Sequence, residues 1–206
     1  AGTDDFFRGW IWNDNIGWIS VNCADTGTCG VVDYGVDMNT ATGDITGYAW
    51  SDNVGWVCFG STCSGTTPEG GASYAGWDSV TNEIGGWARA EFEAMPNESW
   101  ISLNCLAGGN CAVSDYKVIL DPFDDDVEGW SWNANNFGGI LAGLGWSDFD
   151  QVFGTKELLC DDTFDNDSDA LIDCQDPDCA CDYEKEEDLC TDATNTVSYT
   201  HLRAHE

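Results

Sequence analysis

The stretch GYAWSDNVGW at residues 47–56 places a tyrosine and two tryptophans around a Ser-Asp-Asn turn, and it decides the fold. Apolar and polar residues alternate on both sides of the turn, as in a β-hairpin whose successive side chains point to opposite faces. The longer segment 33–59 breaks a second time at NTATG, residues 39–43. It therefore predicts an antiparallel meander of three strands joined by two tight turns.

Similar stretches recur about every 40 residues and begin at Gly9, Gly47, Gly86 and Gly129. A period of this length is typical of supersecondary units that need neighbours to bury their apolar faces. From Gly9 to about Phe153 we predict an all-β repeat region in which tandem antiparallel units form one or two immunoglobulin-like sandwiches. A small propeller-like or solenoid arrangement is the alternative.

Tryptophans occupy equivalent positions in these units, and two functions are open to them. Trp10 and Trp12 are two residues apart and share one face of their strand, and Trp18 follows on the return strand. Rings repeated at equivalent strand positions favour a core in which neighbouring units stack on one another. The alternative is a carbohydrate-binding module that uses exposed tryptophans. Arg89 departs from the pattern because it stands where Trp12 stands in the first unit.

The repeat YGVxxxxxTGxxxGYAWSxNxGWxxF, matched at residues 33–59, resembles one found in secreted and surface proteins of environmental bacteria, notably candidate-phylum lineages. The match covers residues 9–146 more loosely. The TGDITG turn is also similar to that of bacterial immunoglobulin-like modules. The resemblance implies a β-rich fold and a surface location, and it implies no chemistry.

Composition restricts the partners of the chain. Its 206 residues include 38 acidic and 6 basic ones, and a net charge of -32 repels nucleic acids and anionic membrane surfaces. No apolar run is long enough to span a membrane. The sequence holds no nucleophile with its base, no metal triad and no phosphate loop, so we predict that the protein is not an enzyme. Glu91 and Glu93 are interpreted as a solvated strand face.

Eleven cysteines without a CxxC pair indicate an oxidising compartment, and hence an extracellular or cell-surface location. Three units carry two close cysteines just after a strand. No histidine or third nearby cysteine completes a tetrahedral metal set, so we predict disulfide-closed loops. The predicted pairs are Cys23 with Cys29, Cys58 with Cys63, and Cys105 with Cys111.

Beyond Thr155 the composition shifts, because residues 161–192 hold fourteen Asp or Glu and one Lys. The stretch DNDSDALIDCQD at residues 165–176 offers oxygen atoms at positions 1, 3, 5, 7, 9 and 12 of a calcium-binding loop. The spacing resembles dockerin loops and, more closely, the CxDGxDNDxDGxxDCxDPDC metal-binding motif of secreted bacterial proteins. We predict a calcium site formed by Asp165, Asp167, Asp169, Leu171, Asp173 and Asp176.

Two alternatives to calcium remain. Ala170 occupies position 6, where glycine normally makes the sharp turn, so the affinity is expected to be modest, and the segment could instead be a solvated acidic linker. A zinc cluster formed by the cysteines of this segment is the other alternative. It is less favoured because the carboxylates interleaved with the cysteines prefer a harder ion. The pairing of five cysteines stays open: Cys160, Cys174, Cys179, Cys181 and Cys190.

These features divide the chain into a repeat region at residues 1–155, an acidic cysteine-rich motif at 156–197 and a tail at 198–206. The tail, SYTHLRAHE, resembles translated sequencing adapter, and we expect it to contact nothing in the folded region. The chain starts at Ala1 without methionine, so export cleavage or truncation is expected there.

We expect an extracellular structural or adhesive protein, such as a stalk, a surface-layer subunit or a filament subunit, with a calcium-stabilised module. Its expected partners are glycans and further copies of itself. An all-β subunit can self-assemble through strand edges, and TDDFFRGWIW at residues 3–12 is the candidate donor strand.

Overall fold

The computed structural model describes residues 5–68, 73–91, 99–133, 136–137, 140–141 and 143–156, and also residues 158, 165, 170, 171 and 179. The model is 48% strand and 3% helix, which confirms the all-β class. The described helix, α1, is a single turn at Cys23–Thr26, where the Asn22 side chain accepts a hydrogen bond from the Ala24 amide.

The strands of the described residues follow one another along the chain in short segments joined mostly by tight turns. They are β1 Phe7–Asn13, β2 Gly17–Ser20, β3 Val36–Met38, β4 Ile45–Ser51, β5 Gly55–Phe59, β6 Gly76–Asp78, β7 Glu83–Gly85, β8 Trp87–Ala90, β9 Trp100–Ser102, β10 Val118–Leu120, β11 Asp126–Asn133, β12 Asn136–Phe137, β13 Ile140–Leu141 and β14 Gly145–Gly154. The three-strand meander predicted for residues 33–59 is confirmed as β3, β4 and β5.

Eight strands form a closed antiparallel barrel, in the order β1, β2, β4, β5, β8, β9, β11 and β14, with β14 pairing back to β1. The prediction of tandem immunoglobulin-like sandwiches is wrong. A sandwich needs two sheets packed face to face, whereas here the units lie side by side in one sheet that closes on itself. Sequence periodicity shows that hairpins repeat, but it does not show which hairpin edges meet.

The barrel is closed by its last strand. β14 is ten residues long, and it pairs with β11 from Gly145 opposite Asn133 to Phe153 opposite Asp126. On its other side it pairs with β1, from Ser147 opposite Asn13 to Gly154 opposite Phe7. The second half of β14 therefore takes beside β1 the place that β3 takes beside β4 and β10 takes beside β11.

The interior of the barrel is filled by aliphatic side chains and a few phenylalanines. An eight-stranded barrel has an interior just wide enough for side chains to fill, so small and branched residues fit there. Inward-facing residues alternate with outward-facing ones along each strand, as Ile11 lies buried between Trp10 and Trp12. The fully buried members of this core include Phe6, Ile19, Ile45, Val57, Leu103, Val118, Leu120 and Val127.

The buried side chain of Asn13 links two units at one end of the barrel through hydrogen bonds. The Asn13 side-chain oxygen accepts hydrogen bonds from the amides of Asn15 and Ile16 at 2.9 and 3.0 Å, which shapes the β1–β2 turn. Its amide nitrogen donates to the carbonyls of Leu144 and Trp146, at 3.0 and 2.8 Å. One side chain thus ties the first hairpin to the fourth unit and satisfies its own buried polar atoms.

A glycine with a positive φ marks the same point in all four units. Gly47 has a φ of 107°, and a Cβ there would lie 2.1 Å from the Gly35 carbonyl oxygen. Neither the backbone conformation nor the space accommodates a side chain. The other three members of the set make the same close approach to a neighbouring backbone carbonyl, and they are Gly9, Gly86 and Gly129.

We predict that Gly47→Ala lowers the free energy of unfolding by more than about 3 kcal/mol, since it adds a backbone clash to the cost of a left-handed residue. The matched control is Gly27→Ala, where φ is 68° and a Cβ meets nothing within 4 Å. That change should cost only about 1 kcal/mol. Urea unfolding of both variants measures the difference, and equal losses would contradict the role given to the close backbone contact of Gly47.

Candidate ligand-binding aromatic surface

The first hairpin carries three tryptophan rings on the outside of the barrel. The Trp12 and Trp18 ring centroids are 4.8 Å apart with planes at 64°, and those of Trp10 and Trp18 are 6.4 Å apart at 76°. These edge-to-face arrangements are favourable for aromatic quadrupoles. Trp12 keeps 37% of its surface exposed and Trp18 keeps 50%.

The second hairpin repeats this geometry closely. Trp50 and Trp56 are 4.7 Å apart at 66°, and Tyr48 and Trp56 are 6.1 Å apart at 76°. The similarity follows from register, because Trp12 lies opposite Trp18 and Trp50 lies opposite Trp56 in their antiparallel pairs. The sequence repeat therefore encodes one side-chain arrangement on two neighbouring hairpins.

The turn residues hold these rings in place. The indole nitrogen of Trp12 donates to the Asp14 carboxylate at 3.0 Å, and that of Trp50 donates to Asp52 at 2.9 Å. Each bond joins a ring to the turn that follows it, so the ring has little freedom to rotate. Two outward-facing aromatic surfaces are thereby kept in fixed orientations.

Trp132 and Trp146 form the corresponding pair in the fourth unit, 4.5 Å apart at 47°, and Trp130 and Trp146 are exposed. The interpretation of the repeated aromatic residues as core is therefore wrong for the first, second and fourth units. Alternation correctly placed these rings on one face of each strand. The opposite face, which carries smaller residues, proved to be the interior because indoles are too large for a narrow barrel.

The third unit differs, and Arg89 is the reason. Its guanidinium is 2% exposed, donates to the hydroxyls of Ser64 and Ser99 at 2.6 and 3.2 Å, and lies 5.4 Å from the Trp100 ring centroid. Trp87 and Trp100 are buried with it. The departure from the repeat thus replaces an exposed ring by a buried, hydrogen-bonded cation packed on an indole.

A tyrosine from each connecting segment packs on the next hairpin. Tyr34 lies 5.4 Å from Trp56, and Tyr116 lies 5.1 Å from Trp146. Neither contact was predicted from the sequence, although the pattern Cys-x-x-x-Asp-Tyr occurs at residues 29–34 and again at 111–116. No described tyrosine packs on Trp18, which is the most exposed of the described tryptophans.

Beside Tyr34 the outer surface folds into an open cleft of about 530 Å³. Tyr48 and Trp56 from the second hairpin form one part of its lining. The segment that leads into β3 forms another part, and the lining residues are Asp5, Val32, Asp33, Tyr34, Gly35, Tyr48 and Trp56. The cleft therefore combines aromatic rings with carboxylates.

Acidic groups also surround the rings at the barrel end. Burial raises the pKa of the Asp148 carboxyl above its ordinary value; the Asp150 amide opposes this, and the charges of Asp150 and Asp14 add to it. Asp148 lies opposite both Trp12 and Trp130 in the strand pairs. The aromatic surface is consequently surrounded by negatively charged carboxylates, which disfavour the binding of anionic ligands.

The three predicted disulfides are confirmed: Cys23–Cys29, Cys58–Cys63 and Cys105–Cys111. A Glu91 carboxylate oxygen and the sulfurs of Cys58 and Cys63 lie within 4.8 Å of one another. Because the sulfurs are bonded to each other, they offer no thiolate to a metal. Glu91 instead accepts hydrogen bonds from the amide and hydroxyl of Ser64 at 3.1 and 2.6 Å.

The predicted calcium loop is only partly within the described residues. Ala170 adopts a left-handed φ of 74°, and its amide donates to the Asp165 carboxylate at 2.9 Å. Position 6 thus makes the sharp turn even without glycine. Leu171 is also described, whereas Asp167, Asp169, Asp173 and Asp176 lie outside the described residues, as do Glu93 and the tail at 198–206.

Comparison of the chain with family models, curated proteins and solved structures finds no match. The resemblance to surface-protein repeats therefore stays a prediction. Among the described residues, no helix is both long and apolar enough to cross a membrane.

The position of each indole predicts what its removal does to stability. Trp100→Ala, at a site that is 5% exposed, should cost about 3 to 5 kcal/mol because it opens a cavity beside Arg89. Trp18→Ala, at a site that is half exposed, should cost less than about 1.5 kcal/mol. Denaturant unfolding compares the two, and a larger loss for Trp18→Ala would contradict the outward position of the first hairpin's rings.

Proposed function

We propose that this protein is a carbohydrate-binding module of an extracellular or cell-surface adhesive protein. The observation that carries the proposal is the exposure of aromatic rings at equivalent positions of three hairpins, outside a barrel whose core is complete without them. Sugar rings present apolar C–H faces that pack on aromatic side chains, while their hydroxyls bond to nearby polar groups.

The rings are arranged as a surface that is ready to bind. Exposed apolar groups that cluster and are rimmed by polar residues are typical of interaction sites, whereas scattered ones are not. Trp12 and Trp50 are anchored to aspartates of their turns, and Trp18 and Trp56 pack against them. Since the rings are already held in place, these side chains lose little conformational entropy when a ligand covers them.

Charge restricts the class of glycan. The chain carries a net charge of -32, and Asp14, Asp52 and Asp148 lie among the exposed rings. Sulfated glycans and those rich in uronic or sialic acids would be repelled. The ligands that fit are neutral or cationic polysaccharides.

Adhesion through a glycan suits this fold better than adhesion through a lent strand. β1, which contains most of the candidate donor segment, already pairs with β14 on one side and with β2 on the other. Lending it to a neighbouring copy would require the barrel to open. The three disulfides favour an oxidising, extracellular setting for such a module.

We expect the protein to bind at least one member of a panel of soluble neutral and cationic polysaccharides, measured by affinity electrophoresis and calorimetry. Trp18→Ala and Trp56→Ala should each weaken that binding by roughly tenfold, as expected when a packed ring worth about 1.4 kcal/mol is lost. The control is Val80→Ala, an exposed apolar residue at 89% exposure outside the aromatic surface. The proposal fails if no polysaccharide binds, or if all three variants bind like the parent protein.

We also propose that the acidic segment binds calcium and so stabilises the region that follows the barrel. The left-handed Ala170 and its bond to Asp165 support the loop, since this turn lets the chain fold back around an ion. Carboxylates gathered in one loop repel one another until a divalent ion neutralises them. Calcium should be preferred over magnesium because a flexible loop accommodates six to eight oxygens more easily than a strict octahedron.

For the whole chain we expect calorimetric calcium binding with a dissociation constant of roughly 0.1 to 1 mM, typical of extracellular modules. The paired change Asp165→Ala with Asp169→Ala should abolish the heat, while the barrel keeps its unfolding midpoint. The matched control, Asp78→Ala, alters an exposed carboxylate at the end of β6 and should leave calcium binding unchanged. Equal heat from the double variant and the parent would exclude the site.

A further inference from the structure

The cleft beside the second hairpin has the composition of a site for a positively charged group. Tyr34 and Tyr48 stand at 73° and 76° to the Trp56 ring, with centroids 5.4 and 6.1 Å away. Three rings thus border one opening, and Asp5 and Asp33 line it with carboxylates. Among the described residues that line the cleft, none is basic.

Gly35 shapes one wall of this cleft. A Cβ at Gly35 would lie 1.9 Å from a carboxylate oxygen of Asp5, so the missing side chain is what lets this carboxylate approach the backbone there. The Asp33 side chain is exposed and also lines the cleft. Negative charge is therefore brought into the cleft beside a tyrosine whose own hydroxyl donates a hydrogen bond inward to Ser20, at 3.1 Å.

The fourth unit provides a natural comparison because it repeats the same elements with one change of charge. Asp115, Tyr116, Trp130 and Trp146 occupy the positions of Asp33, Tyr34, Tyr48 and Trp56 in the repeat. The residue after the tyrosine is Lys117 there, in place of Gly35. Its ammonium group lies 3.0 Å from a Glu83 carboxylate oxygen, so the fourth unit carries an ion pair next to its tyrosine where the second unit has a glycine.

We propose that the cleft formed by Tyr34, Tyr48 and Trp56 binds a sugar unit that carries a free ammonium group, as in polymers of unacetylated 2-amino-2-deoxyglucose. This inference rests on the proposed glycan binding and names its ligand class. The apolar face of the sugar packs on an aromatic ring, and the ammonium lies near the rings and the Asp33 carboxylate. A cation close to an aromatic face is attracted by the ring quadrupole, and the carboxylate adds a charge-assisted hydrogen bond.

The alternatives fit less well. An N-acetylated sugar offers the same apolar face, but its neutral amide gives the exposed Asp33 carboxylate no opposite charge to attract. An anionic sugar would meet two carboxylates inside a protein of strongly negative charge. The ammonium sugar uses both the rings and the acids of the cleft.

The test compares three probes by calorimetry in mildly acidic buffer of low ionic strength, where the sugar amine is protonated. They are a hexamer of 2-amino-2-deoxyglucose, the matching N-acetylated hexamer, and a lysine hexamer that carries the charge without the sugar. The amino hexamer should bind at least about tenfold more tightly than either of the other two, a difference of 1.4 kcal/mol. Its affinity should fall with added salt.

Variants locate the site. Tyr48→Ala and Asp33→Asn should each weaken the amino hexamer by roughly tenfold, whereas Asp115→Asn, the same change of charge at the equivalent exposed position of the fourth unit, should leave its affinity within about twofold. Unfolding midpoints confirm that each variant is folded. Because Asp33→Asn keeps the size of the side chain, its effect reports charge more than shape.

The outcomes separate this inference from the proposed function. If both hexamers bind equally and the tyrosine variant weakens both, the protein binds glycans but the ammonium inference is wrong. If neither hexamer binds and the polysaccharide panel also fails, both proposals fall. If the lysine hexamer binds as well as the amino sugar, or if Asp115→Asn costs as much as Asp33→Asn, then general charge attraction explains the binding and the assigned cleft is rejected.

Discussion

The rest of this structure depends on the narrow interior of an eight-stranded barrel. A ring of eight strands leaves room for a single packed centre of aliphatic residues, so the large rings of each hairpin have to lie outside. Ile11 and Ala49 face inward where their neighbours Trp12 and Trp50 face outward. The aromatic surface is thus a consequence of how the sheet closes.

Closure in turn depends on β14. This strand pairs with β11 and β1 at once, so it joins the two ends of the repeat region in one continuous sheet. The four repeated glycines make the arrangement sterically feasible, since each lets a neighbouring segment pass within contact of the backbone. Without its last strand the first hairpin would expose one edge and lose the partner of Gly9.

Substitutions between the repeat units give different outer surfaces to hairpins that share the same backbone arrangement. The third unit replaces a ring by Arg89 and becomes a buried, hydrogen-bonded patch. The second and fourth units keep their exposed rings, but Gly35 in one and Lys117 in the other give the neighbouring surfaces different charge. A repeat of this kind supplies a rigid frame, and a few substitutions on its outer face decide what each hairpin can bind.

The sequence by itself determined the local structure. The Ser-Asp-Asn turns, the period-two alternation and the cysteine spacing each depend on residues close together in the chain, so the meander at residues 33–59 and the three disulfides were predicted correctly. Alternation also placed Trp10 with Trp12 on one face. It could not say which face is the interior, because burial depends on the curvature of the whole sheet.

Only the tertiary structure decided the closure and the cleft. The pairing of Phe7 with Gly154 joins residues at opposite ends of the barrel region, and no local signal encodes such a contact. The same holds for the cleft, where Asp5 and Tyr34 meet Trp56 across three separate segments. Side-chain periodicity is a property of neighbouring residues, whereas a closed barrel and the site on its wall arise from contacts between residues far apart in the chain.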